Sequence, residues 1–229
     1  MKTRFYLLFL LVVAGLLTQG FAQPKVFMKH YGPESGISQN SVTSILQDHK
    51  GMMWFSTYDG INRFDGQTFK TFKKAKGNQI YLSSNNVKQM KEDKYGYIWM
   101  LTGELRISRF DPRMETACQV PAVGAEKDLN IVSFELFDNG EIWLVTEEQG
   151  VMQVLTDPKT HQLSIRSYLP KQKVNKVCLD RKKNTWLLTN NGISCLRVGE
   201  DMPISYMVET DFSFYSLLSL LNYRYRIGS

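Results

Sequence analysis

The chain has 229 residues, a formal net charge of +6, and 43% hydrophobic, 12% aromatic and 22% charged residues. This composition is typical of a folded globular protein and excludes disordered and collagen-like chains. The densest basic stretches, residues 70–76 and 171–183, are short and contain turn residues but no nucleic-acid-binding motif. We therefore interpret them as solvated surface and expect no nucleic-acid partner.

Residues 1–22 have the features of a secretory signal peptide. Lys2 and Arg4 precede an almost unbroken apolar run at 5–17, and Ala22 offers a small residue at the expected cleavage position. Cleavage after Ala22 would deliver the mature chain to the periplasm. An uncleaved membrane anchor is the alternative, although the apolar run is shorter than the roughly 20 residues that span a bilayer.

Residues 23–210 contain a fourfold repeat. The tryptophans, separated by 45, 44 and 43 residues, are Trp54, Trp99, Trp143 and Trp186. A threonine follows each tryptophan by three residues, and a glycine precedes the first three by the same distance. The aspartates that we take as equivalent turn residues are Asp48, Asp93, Asp138 and Asp180. In the fourth copy Lys183-Asn184 replaces the glycine, and we expect Asn184 to tolerate the left-handed turn geometry.

Each copy contains four short β-branched and aromatic stretches bounded by Asp, Gly and Asn turns. Four antiparallel strands in about 44 residues form one blade of a β-propeller. We therefore predict an all-β fold with four blades in an incomplete propeller. The predicted blades cover residues 42–86, 87–130, 131–173 and 174–210. A β-sandwich and a closed four-bladed ring are the alternatives.

Residues 211–229 break this pattern, because they are apolar and aromatic without a further Trp-x-x-Thr copy. They are the start of another blade, a capping element or the frameshifted end of a truncated gene. Of these, we favour truncation.

The repeat is similar to a known family. The pattern V-x-x-I-x-x-D-x-x-G-x-x-W-x-x-T-x-x-G-I-x-R-F-D, best kept at 42–66 and 87–112, resembles the two-component regulator propeller repeat. The copies at 131–157 and 174–198 fit it less well. The stretches GISQNSVTSI and LSSNNVKQM also resemble the segment that leads into the family's first strand.

This resemblance implies a setting. Such repeats form the periplasmic sensor region of bacterial hybrid two-component histidine kinases, many of which detect oligosaccharides before a phosphorelay. It implies an oligosaccharide ligand, with further blades or another sensor subunit as partners. The chain has fewer blades than is usual in the family and shows no kinase segment. The resemblance therefore implies a truncated, non-catalytic sensing segment that reaches the membrane only through a missing C-terminal part or an uncleaved signal.

No catalytic, metal or cofactor site stands out in the sequence. The histidines are not spaced as metal ligands, and neither a Gly-rich phosphate loop nor a Gly-x-Ser-x-Gly elbow is present. We therefore predict that the chain is not an enzyme and has no metal or cofactor. The cysteines, which we interpret as small buried apolar residues, are Cys118, Cys178 and Cys195.

Ligand contacts are predicted in the loops at one end of the blades. In a propeller, the loop between the second and third strands and the loop leading into the first strand lie on one face. Here these loops offer carboxylate, amide and aromatic groups that suit sugar hydroxyls, although ordinary polar turns would look the same. The candidate ligand-binding residues are Tyr58, Asp59, Glu104, Glu147, Asn190 and Asn191. A self-contained periplasmic interaction scaffold and a carbohydrate-active enzyme fragment are the alternative functions.

Overall fold

The computed structural model describes residues 28–74, 82–120 and 130–207. The predicted signal peptide and the divergent tail lie outside these residues. The described residues up to Tyr31 belong to a separate N-terminal unit, and those from Gly32 onward form one compact unit. That unit begins with a 3-10 turn at Pro33–Ser35 and continues in strands. Within the described ranges, no helix has the length and apolarity of a membrane span.

In the described residues, the strands form four antiparallel sheets of four strands each, ordered as in the chain. The first sheet contains β1 (Val42–Gln47), β2 (Met53–Thr57), β3 (Gly60–Phe64) and β4 (Phe69–Phe72). The second contains β5 (Val87–Glu92), β6 (Ile98–Thr102), β7 (Ile107–Asp111) and β8 (Thr116–Gln119). The third contains β9 (Ile131–Leu136), β10 (Ile142–Thr146), β11 (Val151–Thr156) and β12 (Leu163–Tyr168). The fourth contains β13 (Val174–Leu179), β14 (Thr185–Thr189), β15 (Gly192–Leu196) and β16 (Ile204–Met207).

These sheets, called blades 1 to 4 below, confirm the prediction of an all-β, propeller-type repeat fold. Blade 2 lies beside blade 1 through contacts of β5 with β1 and β2. Blade 3 lies beside blade 2 through β9 and β6, and blade 4 lies beside blade 3 through β13 and β10.

A β-bulge in the first strand of every blade explains a sequence pattern that a regular strand does not allow. In blade 2 the register against β6 shifts between Val87 and Gln89, and the other blades shift at the same place. Residues three apart in a regular strand point to opposite faces. Val87 and Met90 are nevertheless both buried in the core against blade 1. The extra residue of the bulge brings both side chains onto one face.

Three hydrophobic cores lie between successive blades, and each contains a tryptophan of the second strand. Trp54, Trp99 and Trp143 are fully buried. The ring of Trp54 lies 5.8 Å from Phe72 of its own blade and 5.8 Å from Phe110 of blade 2. A large ring therefore recurs once per blade because it fills the space between that blade and the next.

An aspartate anchors the tryptophan in three of the four blades. In blade 2, Asp93 Oδ2 accepts a hydrogen bond from Trp99 Nε1 at 2.7 Å. Asp93 Oδ1 accepts two more from backbone N–H groups of the turn between β5 and β6, at 2.9 and 3.0 Å. Asp48 and Asp180 make the equivalent three bonds in blades 1 and 4. One carboxylate thus holds both the turn and the indole ring.

The assignment of Asp138 as the equivalent residue of blade 3 is wrong by one position. The turn bond from Gly140 N is accepted by Phe137 O, where the other blades have their aspartate. Asp138 is exposed in the turn. Trp143 Nε1 donates instead to Glu141 Oε2 at 3.0 Å. Blade 3 therefore satisfies the same indole N–H from the other side of the turn.

Two further expectations also need correction. In blade 4 the left-handed residue is Lys183, with φ 66°, and not Asn184, whose side-chain amide donates to Asp180 Oδ2. Cys118 is exposed, because it lies on the outermost strand of its blade. Cys178 is only half-buried, whereas Cys195 is buried as predicted; burial raises the pKa of both thiols.

Candidate functional site

The turns between the second and third strands lie at one end of the blades and define what we call the loop face. These turns cover residues 58–59, 103–106, 147–150 and 190–191. Because the strands are antiparallel, the turns between the first and second strands lie at the opposite end. All six candidate ligand-binding residues are on the loop face.

The repeat threonine shapes the turns of the loop face, a role that the sequence pattern alone did not reveal. Thr57 is fully buried; its hydroxyl donates to Gly60 O at 3.1 Å and accepts from Asp59 N at 2.9 Å. Thr146 and Thr189 make the same two kinds of bond in blades 3 and 4. The threonine therefore fixes the backbone on which the candidate side chains stand.

In blade 1 the turn presents an aromatic ring beside a carboxylate. Tyr58 is 56% exposed. Asp59 forms an ion pair with Lys73, and its Oδ1 accepts a hydrogen bond from Asn85 Nδ2 at 3.4 Å. Asn85 belongs to the segment that leads into blade 2, so this contact crosses from one blade to the next. The ring of Tyr58 is open to solvent, whereas Asp59 is oriented by two partners.

In blade 2 the candidate carboxylate is also oriented by the segment leading into the first strand. Ser84 Oγ donates to Glu104 Oε1 at 2.8 Å. Desolvation raises the pKa of Glu104, but the hydrogen bonds from Ser84 and Thr102 and the charge of Lys74 outweigh it, so the pKa lies below its ordinary value. Glu104 is therefore an anionic acceptor at neutral pH.

Blades 3 and 4 repeat this pairing. Asn130 Nδ2 donates to Glu147 Oε2 at 2.9 Å, and Asn175 Nδ2 donates to Asn190 Oδ1 at 2.6 Å. Asn191 is exposed, and its backbone N–H donates to the repeat threonine.

The segment at 82–86 connects the candidates of blades 1 and 2. Its Asn85 contacts Asp59 and its Ser84 contacts Glu104, while Gly60 N and Gly103 N donate to the backbone carbonyls of Asn85 and Asn86. The structure thus links Asp59 and Glu104 through one segment, whereas Glu147 and Asn190 each bond within their own blade. Blades 1 and 2 hold the most closely connected part of the predicted site.

A concave region, which the sequence did not indicate, lies between blades 3 and 4 at their outer edge. It is a groove of about 400 Å³ lined mainly by polar and charged side chains. Arg166 and Asp201 form an ion pair at 2.6 Å there, and Tyr168 Oη donates to Gln153 Oε1 at 3.1 Å. The groove's main polar groups are thus paired with each other, so the loop face remains the better candidate.

A charged cluster joins blades 2, 3 and 4 along their first strands. Glu135 accepts from Lys91 Nζ at 2.7 Å and from Lys176 Nζ at 3.2 Å. Desolvation raises the pKa of Glu135, but the two lysines outweigh it and the pKa is lowered. Within the described residues, no group of three or more His, Cys, Asp or Glu side chains is gathered as a metal site would require.

Comparison with known proteins agrees with this architecture. Residues 36–59 and 81–104 match the family model described as two component regulator propeller. Over 45 residues, the chain is 49% identical to histidine kinase P4 of Formosa agariphila, an alignment that covers 20% of this chain and 3% of the kinase.

Two solved structures show the same fold at low identity. One is the extracellular domain of BT3049 from B. thetaiotaomicron, assigned to the hybrid two component systems, with a TM-score of 0.58 and 19% identity over 78% of this chain and 26% of that chain. The other is virginiamycin B lyase from Staphylococcus aureus, with a TM-score of 0.51 and 14% identity over 74% of this chain and 56% of that chain. The chain spans only a small part of the kinase and about a quarter of the BT3049 domain. The segments that begin blades 1 and 2 thus match the repeat of the two component regulator propeller family.

Proposed function

We propose that this chain is the extracytoplasmic, ligand-sensing propeller segment of a two-component signalling protein and is non-catalytic by itself. The match to a histidine kinase over 45 residues supports a place in such a protein. The predicted signal peptide, cleaved after Ala22, would deliver the propeller to the periplasm. A kinase elsewhere in the signalling system would then receive the signal.

The loop face is the proposed receiving surface, and the observation that carries the proposal is its pattern of oriented acceptors. Asp59 and Glu104 are each fixed by a neighbouring side chain, and Tyr58, which precedes Asp59 in the chain, exposes an aromatic ring. Carboxylates accept hydrogen bonds from sugar hydroxyls, and an aromatic ring packs on the apolar face of a sugar. We therefore propose an oligosaccharide as the ligand, with Glu147, Asn190 and Asn191 as peripheral contacts.

Calorimetric titration of the full chain with a panel of neutral oligosaccharides tests this proposal. We expect Asp59→Asn and Glu104→Gln each to weaken binding by about 10-fold or more, because a hydrogen bond to a charged acceptor contributes about 1.5–3 kcal/mol. Tyr58→Ala should also weaken binding, because it removes the aromatic ring that would pack on the sugar. Asp138→Asn is the matched control, since it removes one exposed carboxylate at the opposite end of blade 3. Binding that persists unchanged in all three loop variants would place the ligand elsewhere, and no binding across the panel would contradict the oligosaccharide.

A protein-interaction scaffold is the second candidate, and a different observation favours it: the first and last blades expose apolar side chains that the middle blades bury. Glycan turnover by the chain would instead favour the enzyme alternative. The likeness to a lyase shows the fold alone and brings no catalytic role to this chain.

A further inference from the structure

The arginine of the repeat reaches from its own blade to the outer edge of the next one. Arg63 and Arg109 occupy the same register position, opposite the tryptophans of blades 1 and 2. Arg63 Nη2 lies 3.5 Å from Glu115 Oε1, with which it forms an ion pair. Arg109 Nη1 donates to His161 O at 3.1 Å. Both partners lie in the turn between the third and fourth strands of the following blade, so a guanidinium group fills the outer edge of both boundaries.

Blade 3 lacks this arginine, and a groove opens in its place. Gln153 stands opposite Trp143, at the register position of the arginines. It lines the groove between blades 3 and 4, whose volume of about 400 Å³ falls in the range of ligand pockets. The lining residues lie between 139 and 201, inside a stretch that the structure describes without a gap. The groove is therefore formed within two neighbouring blades, at the end opposite the loop face.

The groove keeps an acidic counterpart of the partner that the arginine has in blade 1. There, Glu115 forms ion pairs with two cations, Arg63 and Lys70. Arg166 of blade 3 is at the register position of Lys70, and it forms an ion pair at 2.6 Å with Asp201. Asp201 lies in the corresponding turn of blade 4. Within the described residues, Asp201 thus pairs with one cation where Glu115 pairs with two.

A second carboxylate stands where the missing guanidinium would lie. In blade 2, the guanidinium carbon of Arg109 lies 4.3 Å from the ring centre of Tyr97. Glu141 takes the place of Tyr97 in blade 3, because its backbone carbonyl accepts the equivalent turn hydrogen bond. Glu141 lines the groove, and its Oε2 accepts from Trp143 Nε1. A guanidinium at this position would therefore lie near Glu141 as well as Asp201.

None of the cations that line the groove forms an ion pair with Glu141 within the described part of the chain. Arg166 pairs with Asp201, and Arg197 pairs with Glu200 at 3.9 Å. Lys183 stands on the turn of blade 4 where the other blades have glycine, and it is more than ion-pair distance from these carboxylates. Its charge would oppose a further cation in the groove.

We propose that this groove binds the guanidinium group of an arginine side chain presented by a peptide. The guanidinium fork matches carboxylate oxygens in a bidentate arrangement, which Glu141 and Asp201 would supply. Leu155 and Val198 also line the groove and are 38% and 66% exposed. They would pack on the methylene groups of the incoming arginine.

Nuclear magnetic resonance titration of the full chain with an acetylated and amidated Ala-Arg-Ala peptide tests the inference. We expect saturable shifts, and we expect the same peptide with lysine or with the uncharged isostere citrulline to bind at least about 10-fold more weakly, because neither offers a charged, planar fork. This comparison uses the wild-type chain and does not depend on how any variant folds.

Four variants locate the binding. Gln153→Arg restores the repeat arginine and should abolish peptide binding by filling the groove from within. Glu141→Gln keeps an acceptor oxygen for the indole but loses the charge, so it should weaken binding about 10-fold. Lys183→Gly removes the opposing charge and should strengthen binding. Asp138→Asn is the matched control with unchanged binding, because Asp138 is exposed in the same turn as Glu141 but does not line the groove.

Circular dichroism would verify that the variants fold. A wild-type chain that does not bind the arginine peptide, or that binds the lysine peptide equally well, would overturn the proposal. Unchanged binding in folded Gln153→Arg or in Glu141→Gln would overturn it as well, because the peptide would then lie elsewhere. The proposal goes beyond ligand sensing at the loop face, and none of these results depends on an oligosaccharide.

Discussion

Removing the carboxylate of Asp93 should destabilise the protein more than removing any aspartate on its surface. Asp93 is 6% exposed and accepts three hydrogen bonds, one from Trp99 Nε1 and two from backbone N–H groups. Asp93→Ala leaves all three donors without their acceptor. The unpaired indole N–H should cost the most free energy, because Trp99 is fully buried between blades 2 and 3.

The size of the loss follows from these contacts. A hydrogen bond to a charged group contributes about 1.5–3 kcal/mol, and a buried donor left unpaired costs a similar amount. Water can replace the carboxylate at the two turn N–H groups. We therefore expect Asp93→Ala to lower the free energy of unfolding by about 4 kcal/mol, which is less than the full sum of three hydrogen bonds. Asp180→Ala should cost about 2 kcal/mol, since Trp186 is half-buried and its N–H can reach water. For a domain stable by about 5–15 kcal/mol, the first loss is severe.

Urea unfolding followed by tryptophan fluorescence measures these differences. Asp138→Ala is the control, and we expect it to change the free energy of unfolding by less than about 0.5 kcal/mol, because Asp138 is exposed and does not anchor Trp143. Asp93→Asn should still lower the free energy of unfolding by about 3 kcal/mol, since an amide retains one acceptor oxygen but not the charge. If Asp93→Ala cost no more than Asp138→Ala, the anchoring role of the carboxylate would be refuted.

Three further predictions concern charge, backbone and thiol chemistry. The pKa of Glu135 is lowered in the folded state, so its ion pairs stabilise the fold at pH values above its ordinary pKa of 4.5. This stabilisation is lost as the pH falls through the pKa of Glu135 in the folded state. In urea unfolding measured between neutral pH and acid, Glu135→Gln should therefore show a smaller decline of stability. Lys183→Gly should raise the free energy of unfolding by about 0.5 kcal/mol, because Lys183 holds φ 66° where the other blades have glycine, and an unchanged or lower urea midpoint would contradict this. Cys118 is exposed, whereas Cys178 is half-buried with a raised thiol pKa and Cys195 is buried. Ellman's reagent should therefore label one thiol rapidly in the native protein and all three after unfolding, and Cys118→Ser should abolish the rapid phase.

The blade repeat could be predicted from sequence because its physical cause repeats. Each blade buries a large ring against the next one, and each uses a tight turn before that ring, so tryptophan and glycine recur at a fixed period. The pair of apolar residues three apart in each first strand was also visible in the sequence. Its meaning was not, because only the bulge at positions such as Val87–Gln89 places both side chains on one face.

Blade 3 shows where sequence reasoning failed. Asp138 stands one residue from the position that the pattern requires, and a single residue is enough to turn a carboxylate away from the ring. The indole N–H of Trp143 still has an acceptor, Glu141, supplied from the strand side of the turn. The requirement that the fold imposes is a carboxylate within reach of the indole, and two positions meet it. A motif written as one letter at one position therefore misses the second solution.

The candidate site was predictable in its place but not in its partners. Topology alone puts the turns after β2, β6, β10 and β14 at one end of the blades. The contacts that connect Asp59 and Glu104 come from Asn85 and Ser84, in the segment leading into blade 2, which the sequence placed on the same face but did not pair with either carboxylate. Which serine or asparagine reaches which carboxylate depends on side-chain geometry, and no periodicity records it.

We assign stability to one end of the blade and propose recognition at the other, so the two ends can be tested independently. At one end, Asp93 and its equivalents bind the indole rings that fill the inter-blade cores. Substitutions there should lower the free energy of unfolding, while the molecules that remain folded should keep the same loop face. At the other end, Asp59 and Glu104 are held by exposed or half-buried polar contacts, whose loss should cost little stability. Loop variants that reduce ligand binding while keeping the urea midpoint of the parent chain would show that the loop face binds the ligand directly. Loop variants that lose both together would show that the loop face is part of the fold's support, and the loop residues would then have to be reassigned from recognition to structure.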